Sequence, residues 1–313
     1  MRIVLSHPTG NANVRAVAAG LLQAGLLADF YTTVATFPGS FLDRLSGFGP
    51  LAELGRRRFE ADLQPKTRLW PWRELARSVA LKSGVRSLTA HETGPFCVDA
   101  VYHSLDRQVA ASLRQAAAHH KADAVYAYED GALTSFKEAK PLGVQCLYDL
   151  PIGYWRAARR LLEPEMSRWP DWAATLVNFG DSDAKLARKD EELRLADRIF
   201  VASQFTANTL ADFPGKLAPI EVIPYGFPAV GAARQYAPKA AGQPLKLLFV
   251  GGLSQRKGIA DLFAAADALL PHVELTVVGQ KANDDCPALN AALARHRWIP
   301  SLPHAQILAL MRA

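Results

Sequence analysis

A chain of 313 residues has room for two domains, and 50% hydrophobic with 21% charged residues is the balance of a soluble globular protein. Three scattered cysteines, Cys97, Cys146 and Cys286, exclude a disulfide framework and a clustered zinc site, and suggest a reducing cytoplasm. The net charge of +6 is confined, because nine Lys or Arg and three acids lie between Arg56 and Arg86, which leaves the rest neutral.

The N-terminal MRIVLSHPTG runs straight into a strand, Arg2 to Ser6, with no signal-peptide pattern. The apolar stretch Ala16 to Ala28 is interrupted by Gln23 and is too short to span a bilayer. His7 to Asn13 is a turn, and Val14 to Leu27 is expected to be its helix. Gly10 and Asn11 then sit at a helix N-terminus beyond a strand's carboxyl end, where α/β folds place ligands. A second strand is expected over Asp29 to Val34.

Phe37 to Leu88 reads as helical and irregular, with Gly and Pro breaks. Its Arg56, Arg57, Arg58, Lys66, Arg68, Arg73 and Arg77 surround Trp70 and Trp72. Clustered cations with interfacial tryptophans attract an anionic leaflet, which makes a peripheral place on the inner face of the membrane one expectation. A solvated helical face with the tryptophans packed inward is the other, and the sequence leaves both open. No nucleic-acid module is recognised, so nucleic acid is not an expected partner.

Gln108 to His120 reads as a helix. Ala122 to Tyr128 is a strand ending in Glu129-Asp130-Gly131, and Lys140 to Asp149 leads to another ending in Asp149-Leu150-Pro151. Both carboxylate clusters therefore fall at strand ends, on the ligand side of a parallel sheet. Such a carboxylate either holds a ligand hydroxyl or caps the next helix. Tyr154 to Leu195 is expected to be helical, looser around Trp169 to Trp172, with Asp181-Ser182-Asp183 a surface turn or cap. Strands follow at Ile199 to Ser203 and Ile220 to Pro224. Pro228, Pro238, Gly242 and Pro244 punctuate an Ala-rich linker, which sets domains at 1–224 and 245–313 with a linker over 225–244.

Leu245 to Gly258, LKLLFVGGLSQRKG, combines a strand, a Gly251-Gly252 turn, a basic pair and the start of a helix over Ile259 to Leu270. The apolar run reads as a buried parallel strand. Helix N-termini favour anions, and Arg256 and Lys257 supply a planar fork and a mobile charge for phosphate oxygens. The alternative is an ordinary βα turn with a solvated basic pair. G-x-x-x-x-G-K-[ST] and G-x-G-x-x-G are both absent, so neither a P-loop ATPase nor a standard dinucleotide fold is expected.

FVGGLSQRKG resembles the donor-site loop of family-4 glycosyltransferases. VELTVVGQ and WIPSLPHAQILALM follow it as the next strand and the approach to a third, and ADRIFVASQFTANTL and IEVIPYGF are similar to the family's approach to its linker. The resemblance implies an α/β fold of two Rossmann-like domains of GT-B type. It implies transfer of a sugar from a nucleoside diphosphate sugar to a glycan, lipid or small-molecule acceptor, with retention and without metal or other cofactor. By that resemblance Gly10, Asn11, Gly251, Gly252, Arg256, Lys257 and Gly258 bind the donor diphosphate, and the first domain takes the acceptor through Glu129, Asp130 and Tyr154. Many relatives read His-Asp-Leu where this chain has Tyr148-Asp149-Leu150, so Asp149 is the matching catalytic candidate. The family's late Glu-x7-Glu motif has no counterpart before Ala313, so the second domain is expected to be incomplete. A non-catalytic sugar-nucleotide-binding or scaffold fragment is the competing expectation.

Overall fold

A computed structural model describes residues 1–40, 43, 57–116, 122–227, 230, 231, 233 and 242–312. Arg56, the expected helix end at His120 and most of the 225–244 linker lie outside them. By its contacts the chain divides into two compact units, Met1–Arg156 with Asp181–Phe227, and Ala157–Gly180 with Pro228–Ala313.

The first unit is built on a seven-stranded sheet. Its strands are β1 (Ile3–Ser6), β2 (Leu27–Thr32), β3 (Thr67–Leu69), β4 (Ala124–Tyr128), β5 (Gln145–Leu150), β6 (Arg198–Val201) and β7 (Ile220–Val222). They lie in the order β3-β2-β1-β4-β5-β6-β7, all parallel. β1 and β4 are buried at every residue, as parallel strands covered on both faces must be. Two helices expected from the sequence are shifted. α1 is Ala12–Gln23 and ends before Leu27, which starts β2. β3 falls inside the segment expected to be helical, where Thr67 pairs with Phe30 of β2. α2 (Trp72–Ser83) follows, and α3 (Val98–Ala116) starts ten residues before the expected Gln108.

The sheet's two faces are covered by different helices. Val14 and Ala18 of α1 pack with Ile3, Leu5, Phe30 and Tyr126. Val109 and Leu113 of α3, Phe136 of α4 (Leu133–Ala139) and Leu193 of α6 (Asp183–Leu195) pack with Val4, Val125, Tyr148 and Ile199. The change of face accompanies the reversal of strand order between β1 and β4, and a short α7 (Gln204–Thr209) follows β6. Ligands of open α/β sheets bind outside the strand ends at that reversal.

The second unit has three parallel strands, β8 (Leu245–Val250), β9 (Val273–Val278) and β10 (Arg297–Ile299), in the order β10-β9-β8. Ile259 and Phe263 of α8 (Ile259–Ala268) and Leu289 and Leu293 of α9 (Pro287–Arg295) form its core with Leu275 and Val277. Ala157–Gly180, left in the first domain by the sequence reading, groups here by contacts. It supplies most of α5 (Trp155–Arg168) and Trp172, whose ring stacks on Phe263 with centroids 5.7 Å apart. β8 is less covered than a buried strand, because it is an edge strand, and Leu248 and Val250 remain exposed.

Trp172→Ala is expected to destabilise the second unit by about 3–5 kcal/mol, since the stacked partner and the cavity left behind are both lost. Urea denaturation followed by circular dichroism measures this; a change below about 1 kcal/mol would show that the inserted segment is not part of that core.

Candidate functional site

At the reversal point, β1 delivers His7 into a tight turn. Its Nδ1 accepts the N–H groups of Thr9 and Gly10, both at 3.0 Å. That fixes the neutral tautomer with the proton on Nε2. Burial, helped by Arg57, holds the ring down to about 4. Tyr128 meets the ring edge-on, centroids 4.8 Å apart. Gly10 has φ +56°, and a Cβ there would lie 2.2 Å from the Phe59 ring, so only glycine fits. Asn11 caps α1, its Oδ1 accepting Val14 N–H at 3.0 Å. Gly10 and Asn11 are therefore at a strand end and a helix start, as the sequence placed them. His7 was legible only as part of a turn, and its partners appear once the turn is folded.

β4 ends in the carboxylates that the sequence placed on the ligand side. Glu129 and Asp130 both face Lys189 of α6, with Nζ–O distances of 3.5 and 3.7 Å. Lys189 also pairs with Asp181 at 3.5 Å, and Lys185 joins Asp181 at 3.2 Å and Asp99 at 2.9 Å. Burial lifts the pKa of Glu129 and Asp130, with Lys189 opposing it. Burial also raises Asp181, but Lys189 and Lys185 outweigh it and hold that carboxyl down. Asp130 sits in left-handed backbone at φ 68°, and its N–H donates to Glu192 Oε2 at 2.9 Å. Two buried oxygens here have no hydrogen-bond partner, Asp130 Oδ1 and Asp99 Oδ2; Tyr128 Oη, also without one, lies on the α1 side with Tyr126. Buried polar groups are normally satisfied, so the orphaned Asp130 Oδ1 at the end of β4 suits a hydroxyl-bearing ligand. Ser182 caps α6 through Lys185 N–H, as expected of Asp181-Ser182-Asp183.

His91 Nε2 lies 3.0 Å from Asp181 Oδ1 and 3.2 Å from Glu92 Oε1. Both carboxylates are already engaged, Glu92 by the N–H and hydroxyl of Ser182 and Asp181 by two lysines.

Asp149 is not brought together with Glu129 and Asp130. Alternate strand residues face opposite sides. Tyr148 packs against α4 and α6, so Asp149 faces the α1 side. There its Oδ2 accepts the Tyr126 hydroxyl at 2.8 Å. It lines an apolar cavity of about 440 Å³ with Asn13, Val17, Phe200 and Tyr225. Burial pushes its carboxyl up to about 6, against the Tyr126 hydrogen bond. Tyr154 is also elsewhere. It is fully buried, and its hydroxyl donates to Asp190 Oδ1 at 2.7 Å.

The second unit realises the strand, Gly turn, basic pair and helix in that order. Gln255 is the anchor. Its N–H donates to Thr175 Oγ1, its Nε2 donates to Glu165 Oε2, and its Oε1 accepts Ala260 N–H, each at 2.9 Å. One first-turn N–H of α8 is thus occupied from within. Ser254 Oγ donates to the Thr175 carbonyl at 2.7 Å, and Gly258 turns the chain at φ 67°. Arg256 and Lys257 are exposed and form no ion pair among the described residues. Gly279 is the residue that sequence reasoning missed. A Cβ there would lie 1.8 Å from the Gly251 carbonyl oxygen, so β9 and the loop abut backbone to backbone. The Gly after the VELTVV strand was its signal.

No protein family and no curated protein matches the sequence. Solved structures match its fold. The apo form of the lipopolysaccharide outer core galactosyltransferase WaaB is similar with a TM-score of 0.51 at 11% identity, over 100% of this chain and 71% of that one. Apo OtsA gives 0.52 at 13%, over 98% and 75%. A trehalose-6-phosphate synthase studied for glycosyl transfer with retention gives 0.50 at 14%, over 98% and 74%. The chain has the GT-B fold. In GT-B terms the seven-stranded and three-stranded parallel sheets are its two Rossmann-like halves.

An aspartic acid whose folded pKa is raised holds a proton that the unfolded chain has released. The penalty for ionising Asp149 is therefore absent below pH 3.8 and complete above about 6. Asp149→Asn is expected to stabilise the protein at pH 7 by about 1–3 kcal/mol, with the difference closing near pH 4. Thermal melts at the two pH values check this; an equal difference at both would contradict the burial of the charge.

Proposed function

We propose that the protein is a glycosyltransferase that moves a sugar from a nucleoside diphosphate sugar to a hydroxyl of a glycan, lipid or small-molecule acceptor. The carrying observation is the pair Arg256 and Lys257. Both are exposed and free of ion pairs among the described residues, on a Gly-flanked turn at the start of α8. Breaking the bond to the anomeric carbon leaves an oxocarbenium-like sugar and a departing diphosphate. Two cations at the loop stabilise that charge without a proton or a metal. Gly251, Gly252 and Gly258 let the phosphates approach the backbone, and Gly10 with Asn11 offers a second turn of the same kind in the first unit. The orphaned Asp130 Oδ1, beside Glu129, suits an acceptor hydroxyl. Asp149, beside Tyr126 in its cavity, is the carboxylate we assign to the reacting sugar, with retention of configuration.

Arg256→Ala with Lys257→Ala is expected to lower affinity for nucleoside diphosphate sugars about tenfold or more, read by calorimetry. Unchanged affinity would sink the loop assignment. Donor binding without turnover, whatever acceptor is supplied, would favour a non-catalytic sugar-nucleotide-binding or scaffold role.

A second proposal concerns an anionic membrane surface, and one observation redirects it. The arginines of the basic segment are largely engaged: Arg57 with Glu74, Arg58 with Asp43 and Arg68 with Asp29, while Arg73 and Arg77 donate to the carbonyls of Pro95 and Phe96. Trp70 is half-buried and donates to Ser104. Trp72, by contrast, is 65% exposed, with Leu75 at 47% and Val79 at 68%, one stripe along α2. No helix among the described residues is long and apolar enough to cross a membrane. We assign lipid contact to this stripe, with the surrounding positive charge favouring an anionic leaflet. Trp72→Ser with Leu75→Ser and Val79→Ser is expected to abolish co-sedimentation with vesicles containing phosphatidylserine. Equal pelleting of the variant, or of the parent with neutral vesicles, would defeat the idea.

A further inference from the structure

A polar pocket of about 350 Å³ lies between α3 and α6, apart from the residues assigned so far to the donor. Asp99, His103 and Arg107 line it from one face of α3, Lys185 and Arg188 from α6, and Arg73 and Glu92 complete it. Four cations line it beside two partly committed carboxylates. Of the cations, Lys185 is also paired with Asp181 and Arg188 with Asp106 and Glu192, which leaves Arg73 and Arg107 without a carboxylate partner among the described residues. Glu92 receives the N–H and hydroxyl of Ser182, and Asp99 Oδ1 holds Lys185 at 2.9 Å.

The cations have more capacity left. Arg107 is exposed and has no ion pair among the described residues. Arg73 gives one N–H to the Pro95 carbonyl and keeps the rest of its fork. Arg188 donates to Asp106 Oδ2 at 3.0 Å, and its buried Nε has no hydrogen-bond partner, although Glu192 Oε1 lies 3.4 Å away. On the acceptor side, Asp99 Oδ2 is buried and unpartnered. His103 adds no charge, because burial and then Arg188 hold its ring down to about 4.

The pocket therefore has unmet donors of positive charge beside an unmet anionic acceptor. Inorganic phosphate matches only the first, and a neutral sugar only the second. A space of this size holds roughly ten waters and falls in the range of small-ligand sites. We propose that this pocket binds a phosphorylated sugar or polyol, with its phosphate monoester on Arg73, Arg107 and Arg188 and a hydroxyl donating to Asp99. Guanidinium forks suit the tetrahedral oxygens, and the carboxylate selects for a hydroxyl on the same molecule. The assignment does not depend on the loop at Arg256 and Lys257.

Calorimetry with three probes tests it: inorganic phosphate, a neutral hexose and a hexose 6-phosphate. The hexose 6-phosphate is expected to bind about tenfold or more tightly than either of the others. Arg73→Gln with Arg107→Gln is expected to weaken it by a similar factor, and Arg256→Ala with Lys257→Ala to leave it unchanged. Should the double variant misfold, Arg107→Gln alone, at an exposed position, is expected to weaken binding several-fold. No binding of hexose 6-phosphate to the parent, equal binding of inorganic phosphate, or loss only in the Arg256 and Lys257 variant would overturn the proposal.

Discussion

The carboxylate of Glu192 holds the first unit's strand ends in place. It is fully buried on α6 and accepts four donors: the N–H groups of Asp130, Ala132 and Leu133, and the Tyr148 hydroxyl. Burial pushes its pKa up to about 8, with Arg188 opposing it. One side chain thereby fixes the left-handed turn at Asp130 and caps α4. Asp106 of α3 does the same for the next two N–H groups of α4, at Thr134 and Ser135. Removing a partner from such a group leaves a buried polar atom unmet, which costs more than the bond itself contributes. The geometry of Glu129 and Asp130 is inherited from this knot.

The same knot explains how the ligand side carries so many charges. α6 presents Lys185, Lys189 and Glu192 at intervals of three and four, so all three share one helix face toward β4 and α3. Buried ion pairs of this sort add little net stability, because desolvation offsets their attraction. What they provide is a defined arrangement, and around it two orphaned oxygens, Asp130 Oδ1 and Asp99 Oδ2, that a well-packed structural network would not leave.

Much of this was legible in the sequence. The parallel strands, the Gly turn before Arg256 and the carboxylates at two strand ends all follow from local pattern. What was not legible is which way side chains face and which distant residues they meet. Asp149 and Glu129 look equivalent as strand-end acids, yet strand alternation sends Asp149 to the α1 side. Tyr154 is expected to take the acceptor, yet Asp190, 36 residues later, accepts its hydroxyl in the core. Gly279 reads as an ordinary turn residue until Gly251 is seen against it. Trp172 reads as part of a loose helical stretch until Phe263 is seen to stack on it. The misses at Tyr154, Gly279 and Trp172 are long-range contacts, which composition and periodicity do not encode, whereas the one at Asp149 follows from the period of two along a strand once its covering helices are known.

The insertion of Trp172, Thr175 and Glu165 into the second unit has a consequence for synthesis. Phe263 follows Trp172 by 91 residues, the difference of their positions. At ribosomal rates of about 5–20 residues per second, that is a wait of roughly 5–20 s. During it the tryptophan lacks its Phe263 partner, while the chain of the first unit is completed through Phe227. The loop bearing Arg256 and Lys257 can become rigid only when its late strand reaches an early segment already waiting. The two units are therefore made interleaved rather than in succession, and a nascent chain stalled before β8 would display Trp172 as a handle for chaperones.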